Sequence, residues 1–306
     1  MQTQNSNKQV PLLVGIGELL WDLLPGGRRL GGAPANFAYH AAQQGAEAYA
    51  ISAIGDDTEG LDILSEIKNK QMSTEYLAIV QGQSTGTVTV ELNDGFPAYI
   101  IHAPVAWDFI PFEDRIAALA RKADAVCFGT LAQRGEVSAA TIRRFIAHTR
   151  PDCLKIFDVN LRQHFFNREV IELSLKQCNL LKISDEELPV VAELLGLHGN
   201  AEKSISQLLQ RYNLKYVVLT KGVKGSEFSD ENAYITVPAF KFGPKIDTVG
   251  CGDSFTAVLA TGLLIGLAPA DAMRHASMIA GIVCASAGAM PEIPEELKIR
   301  CHPLEV

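Results

Sequence analysis

The stretch Asp247-Thr248-Val249-Gly250-Cys251-Gly252-Asp253-Ser254-Phe255 sets an acid and a hydroxyl directly behind two glycines, at the head of an apolar run from Thr256 to Gly266. Glycine at 250 and 252 removes the Cβ penalty, so the turn can take backbone angles that aim successive N–H groups at one anion. A helix opening at Asp253 or Ser254 adds the partial positive charge of its N-terminus. A carboxylate is out of place in an anion site unless it has a task, and taking the proton of a substrate hydroxyl is the task that fits. Taken alone, Gly-x-Gly-Asp-Ser reads more readily as a simple helix cap, because Asp and Ser are favoured there.

Other residues could share that chemistry. Asp22 is the first acid beyond the apolar run Leu12–Gly17 apart from Glu18, in the region outside strand ends where open α/β sheets place ligands. In Gly31-Gly32-Ala33-Pro34-Ala35-Asn36 the glycines let a ligand approach the backbone, Pro34 suits a first helical turn, and the Asn36 amide suits sugar hydroxyls. Arg162, closing Asp158-Val159-Asn160-Leu161-Arg162, is suited to neutralising a phosphoryl group, or is a plain surface arginine. Ser184-Asp185-Glu186-Glu187 has the spacing of a capping box, and Lys182 points to the same strand end. Thr220-Lys221-Gly222-Val223-Lys224-Gly225 is a glycine-rich loop with interleaved lysines. No Gly-x-x-x-x-Gly-Lys-Ser/Thr occurs, and Gly15 and Gly17 lack the third glycine of a dinucleotide fingerprint. A P-loop enzyme is excluded and a dinucleotide oxidoreductase disfavoured.

The elements that must hold these residues alternate. Leu12–Gly17 and Ala46–Gly55 read as strands around a small-residue helix at Phe37–Gln44, with Trp21–Gly27 as a turn and Asp57–Lys70 as an amphipathic helix. Tyr76–Val80 is a short strand; then Thr85 to Leu92 alternates polar and apolar into the hairpin turn Asn93-Asp94-Gly95, returning over Phe96–His102. Helix-length and strand-length segments then interleave from Phe112 to Val159. Further strands are expected at Asn179–Ile183, Tyr216–Leu219, Gly225–Phe228 and Ala233–Val237, and a second late helix at Ala268–Ala287. This order predicts a mostly parallel sheet with right-handed crossovers.

At 306 residues the chain is one large domain or two modest ones, with 47% apolar residues and a net charge of −8. No basic block offers a footprint for nucleic acid or an anionic membrane, and no apolar run is long enough to span a bilayer. Met1–Gln9 is polar and reads as a disordered tail. Six cysteines without a C-x-x-C pair suit reduced, mostly buried thiols and a cytoplasmic location.

The nonapeptide closely resembles the C-terminal signature of the ribokinase-like (PfkB) sugar kinases, in which alanine is usual at the place of Cys251. Gly31–Asn36 resembles the N-terminal signature, in the form of the fructokinase branch. Three supporting loops follow in the family's order, so the resemblance runs from about residue 12 to 295. It implies a three-layer α/β/α fold with a small β-sheet lid over about 75–103 plus part of 21–31, within a kinase domain at 11–306 behind a tail at 1–10. It implies ATP-dependent phosphorylation of a monosaccharide, D-fructose before ribose, 2-keto-3-deoxygluconate or a nucleoside. Asp253 would be the base, with Gly250, Cys251 and Gly252 as the anion hole aided by Arg162. Asp22, Gly31, Gly32 and Asn36 would bind sugar, and Lys182, Ser184, Thr220, Gly222 and Gly225 the nucleotide. Glu187 would act on Mg²⁺ through water, though Ser184 stands where asparagine is usual. Oxygens at Asp247, Val249, Val283, Ser286 and Gly288 would hold a monovalent cation such as K⁺. The lid would cover the sugar and pair two copies. A non-catalytic sugar-binding regulator on the same fold is the alternative of a different class, disfavoured by the intact Gly-x-Gly-Asp.

Overall fold

The structure is a computed structural model that describes residues 10–24, 26–93, 96–299 and 301. The tail expected over residues 1–10 and the Asp94-Gly95 turn centre therefore lie outside the described residues, Val10 excepted. Among the described residues thirteen strands are formed: β1 Leu12–Ile16, β2 Leu20–Leu24, β3 Gly27–Gly31, β4 Glu47–Gly55, β5 Leu77–Val80, β6 Gly86–Asn93, β7 Phe96–Ile101, β8 Ala125–Phe128, β9 Leu154–Asp158, β10 Leu180–Ser184, β11 Tyr216–Thr220, β12 Ser226–Ser229 and β13 Tyr234–Val237. The α-helices are α1 Ala33–Gln43, α2 Thr58–Asn69, α3 Asp114–Ala120, α4 Glu136–His148, α5 Arg168–Gln177, α6 Glu187–Leu195, α7 Ala201–Tyr212, α8 Cys251–Leu264 and α9 Pro269–Cys284.

The main sheet has nine strands in the order β13-β12-β11-β10-β9-β8-β1-β4-β5. It is parallel from β11 to β5, with β12 and β13 antiparallel at one edge. All five residues of β1 are buried, as expected of a strand covered on both faces. Period-two alternation in β8 serves both layers: Val126 and Phe128 join the apolar cluster beneath α3–α7, whereas Ala125 and Cys127 join the one beneath α1, α8 and α9. This is a three-layer α/β/α fold. The chain leaves β1 toward β4 on one side and later returns to β8 on the other, so the strand order reverses at the β1–β8 boundary. Ligand crevices form at such a reversal, outside the carboxyl ends of the strands.

A second sheet stands apart, four-stranded in the order β3-β2-β6-β7. Its first half corrects the expected turn at Trp21–Gly27. Trp21 pairs with Leu30 across the β2–β3 hairpin, and burying both draws the segment into strands. Leu77–Val80 does not join this sheet. It pairs in parallel with β4, because buried Leu77 packs with Ile54, Ile63 and Ile67.

Helix α8 is buried on all sides from Ser254 to Gly262, the pattern of a core helix. It begins at Cys251, earlier than expected, with Gly250 in left-handed conformation at its N-cap and no side-chain cap. Asp253 thus lies in the first turn, and the reading of it as a mere cap is set aside.

Candidate active site

Gly250 makes the turn before α8 possible. Its φ of 79° is one that side chains resist, and a Cβ there would lie 2.7 Å from Ala289. The helical ladder opens with Ser254 N–H donating to Gly250 O at 2.8 Å. The first-turn amides of Gly252 and Asp253 have no intrahelical acceptor by position. The Cys251 amide differs, since it donates back to Thr248 O at 3.3 Å. The Lys182 ammonium lies 3.0 Å from where a Gly252 side chain would start, directly under the turn.

Lys182 is itself buried, and Asp158 Oδ1 accepts from its Nζ at 3.0 Å. The Thr256 hydroxyl lies 3.0 Å from the other Asp158 oxygen. Burial opposes the ammonium charge, but Asp158, Glu187 and Asp253 outweigh it and raise the Lys182 pKa. A fixed positive charge therefore sits beneath an amide-lined turn, which suits the phosphates of a nucleotide. Lys182 reaches this place from below, bound to an acid. Asp158 was visible in the sequence only as a strand end, and Thr256 only as part of an apolar run.

Asp253 is half-buried, and Asn36 Nδ2 donates to its Oδ2 at 2.7 Å. Burial and then the charge of Asp158 push its carboxyl up to about 6, against the Asn36 hydrogen bond, Lys182 and Arg162. Asn36 is buried in α1, whose N-cap Gly32 has a φ of 118° and whose first turn contains Pro34. Asp22 projects from β2, and its carboxylate lies 2.5 Å from where a Gly31 side chain would start, which explains glycine there. Burial raises Asp22 to about 6, with Arg162 opposing and Asp247 adding to the rise. Arg162 is exposed after β9, and its charge acts on Asp22, Asp253 and Glu18.

Glu18 belongs to this cluster although no motif announced it. It is buried beyond β1, its Oε1 accepts from Ala33 N–H at 3.3 Å, and burial raises its pKa. An acid closing an apolar strand four residues before Asp22 was the one signal available.

At the ends of β10 and β11, Ser184 and Thr220 are adjacent in register, and Asp185 N–H donates to Thr220 O at 2.9 Å. Gly222 and Gly225 shape the loop that follows, both at positive φ. The expected capping box is formed, with Ser184 Oγ accepting from Glu187 N–H at 3.2 Å and Glu187 Oε2 accepting from Ser184 N–H at 2.9 Å. Glu187 Oε1 accepts from Leu161 N–H at 3.0 Å. Burial works against this carboxylate, but Lys182 and the amides hold its pKa low. Among the described residues no group of three or more His, Cys, Asp or Glu could hold a metal. Each Glu187 oxygen accepts one amide and keeps one lone pair open, which a water molecule on an ion could fill.

The two stretches expected to share a monovalent cation do meet. Ile246 and Asp247 N–H donate to Cys284 O at 2.9 and 3.2 Å. Asp247 accepts from Arg29 of β3 at 2.7 Å and from Val249 N–H at 3.1 Å, so its carboxylate is already committed. Val283 O accepts from Ser286 N–H at 3.0 Å, and Gly288 turns with a φ of 81°. At this junction the expectation of six free thiols is corrected. Cys251 and Cys284 form a disulfide with their Cα atoms 5.8 Å apart, because the first residue of α8 and the last of α9 converge there. Cys127, Cys153, Cys178 and Cys301 are free.

The model of the pfkB family carbohydrate kinases matches residues 26–296. An uncharacterised sugar kinase of Pyrococcus horikoshii is 27% identical over 310 residues, covering 94% of this chain and 96% of its own. Its crystal structure in complex with ATP superposes with a TM-score of 0.78 at 26% identity, covering 92% and 94% of the two chains. A fructokinase of Klebsiella pneumoniae is 28% identical over 300 residues, covering 91% and 95%. A double-mutant fructokinase of Vibrio cholerae O395, crystallised with fructose, ADP and potassium ion, shares the fold with a TM-score of 0.79 at 21% identity, over 94% and 96%.

Proposed function

Because the chain belongs to the pfkB family of carbohydrate kinases, we propose that it transfers the terminal phosphoryl group of ATP to the primary hydroxyl of D-fructose, giving fructose 6-phosphate and ADP. One observation carries this reading. The Asp253 carboxylate lies between an amide turn backed by Lys182 and a sugar-side cluster to which Asn36 ties it. The Gly31–Asn36 signature and the fructokinase relative favour fructose.

In the reaction Asp22, Gly31, Gly32 and Asn36 hold the sugar and Asp253 takes the hydroxyl proton as the oxygen attacks the terminal phosphorus. The amides of Gly250, Gly252 and Asp253, with Arg162, then stabilise the charge on the transferring group. A carboxyl raised to about 6 is a better base than an ordinary aspartate. Even so, the loose transition state asks more of positioning than of basicity. Ser184, Thr220, Gly222 and Gly225 line the nucleotide side. Glu187 would hold Mg²⁺ through water, and the ion would supply neutralisation of phosphate oxygens. Backbone oxygens at Asp247, Val249, Val283, Ser286 and Gly288 would form the setting for K⁺, the Asp247 carboxylate being held by Arg29 and the Val249 amide. The four-stranded sheet acts as the lid that excludes water and as the surface through which two copies pair in the cytoplasm.

Coupled ADP release across a panel of sugars and nucleosides tests the assignment. The largest kcat/KM with fructose is the expected result. Preference for ribose, 2-keto-3-deoxygluconate or a nucleoside moves the substrate within the same chemistry, and sugar binding without ADP release makes the protein a sensor. Asp22→Ala removes a charged hydrogen-bond partner of the sugar, so KM for the sugar rises roughly 10–100-fold while KM for ATP stays within about twofold. Equal changes in both constants would count against the placement of Asp22.

A further inference from the structure

The disulfide lies at the turn on which the proposed transfer depends. Residues 246–251 are tied to Cys284 three times, by the amides of Ile246 and Asp247 on its carbonyl and by the Cys251 sulfur on its own. The segment is thereby closed into a ring. Inside that ring the Cys251 N–H is spent on Thr248 O at 3.3 Å and not offered to a phosphate oxygen. Both cysteines are half-buried, open to a small reagent, whereas three of the four free thiols are buried.

We propose that Cys251 and Cys284 are a reversible thiol–disulfide modification site acting on the anion turn. Oxidised, the pair holds the turn with the Cys251 amide withdrawn and slows phosphoryl transfer; reduced, it lets that amide swing toward the phosphate. The proposal rests on the kinase reading above. Its co-reactant is a low-molecular-weight disulfide. One protein thiolate attacks it and expels one thiol, leaving a mixed disulfide, and the second protein thiolate then expels the other. Two protein thiols lose two electrons and two protons, and the reagent becomes two thiols.

The test uses the full chain equilibrated with excess oxidised glutathione or with dithiothreitol, then alkylated and weighed. Six thiols are expected after reduction and four after oxidation, the missing pair mapping to 251 and 284. ADP release should be roughly tenfold faster in the reduced enzyme, the size of one hydrogen-bond donor regained. Cys284→Ser should keep the reduced rate under both conditions. Equal rates in the two states, a faster oxidised enzyme, or thiol loss at other cysteines would overturn the proposal. Should no sugar be turned over in either state, the kinase reading fails by itself. ATP affinity by calorimetry then still decides the redox site, with roughly tenfold tighter binding expected after reduction and equal affinities counting against it.

Discussion

Asp253→Asn is expected to lower kcat roughly 10³–10⁴-fold, the upper range for loss of a positioned general base. ATP affinity should stay within about threefold, since an amide of the same shape keeps an oxygen for the Asn36 donor. The wild-type pH profile should report the same carboxyl together with that of Asp22. The active form is the carboxylate, so kcat/KM should fall as pH drops through about 6, where both Asp253 and Asp22 take up protons. Stability runs the other way. A carboxyl whose folded pKa lies above its unfolded value binds its proton more tightly when folded, so acidification toward pH 6 relieves the native state. Asp253→Asn should accordingly raise Tm at pH 7.5 even as kcat falls. A variant that turns over at the wild-type rate would remove Asp253 from the mechanism.

The second large effect is on the fold. Asp158→Ala leaves the Lys182 ammonium buried without its partner, and such deletions cost about 3–5 kcal/mol. Denaturant unfolding should show a loss of that size. Asp158 also raises the pKa of Asp253, so in whatever fraction folds the acid limb of kcat/KM should move to lower pH. A loss below about 1 kcal/mol would mean that water or another acid replaces Asp158.

The turns of the candidate site are legible in the sequence where backbone conformation dictates residue type. Gly250 must be glycine because its φ is 79° and Ala289 crowds it, and Gly32 because its φ is 118°, so both motifs stand out as glycines before a helix. The parallel sheet was legible because its strands are continuous apolar runs separated by helix-length spacers. Pairings made over long distances in the chain left no such trace. Lys182 with Asp158, Thr256 with Asp158, and Glu18 beneath Ala33 are ordinary residues until folding joins them. The strand character of Trp21–Leu24 depends on burial of Trp21 against its partner hairpin, and the disulfide on the meeting of two helix ends 33 residues apart. Neither is written in local composition.

On the kinase reading proposed above, residues 18–36 and the four-stranded sheet would supply the sugar side and residues from 158 onward the phosphate side. Asn36 and Asp253, 217 positions apart in the chain, form a hydrogen-bonded bridge between the two. If that reading holds, exchanging the N-terminal third should change acceptor preference and leave the donor chemistry in place, provided that one amide-to-carboxylate junction is kept. A chimera built on that seam should retain its ATP handling and acquire the sugar appetite of its new front end.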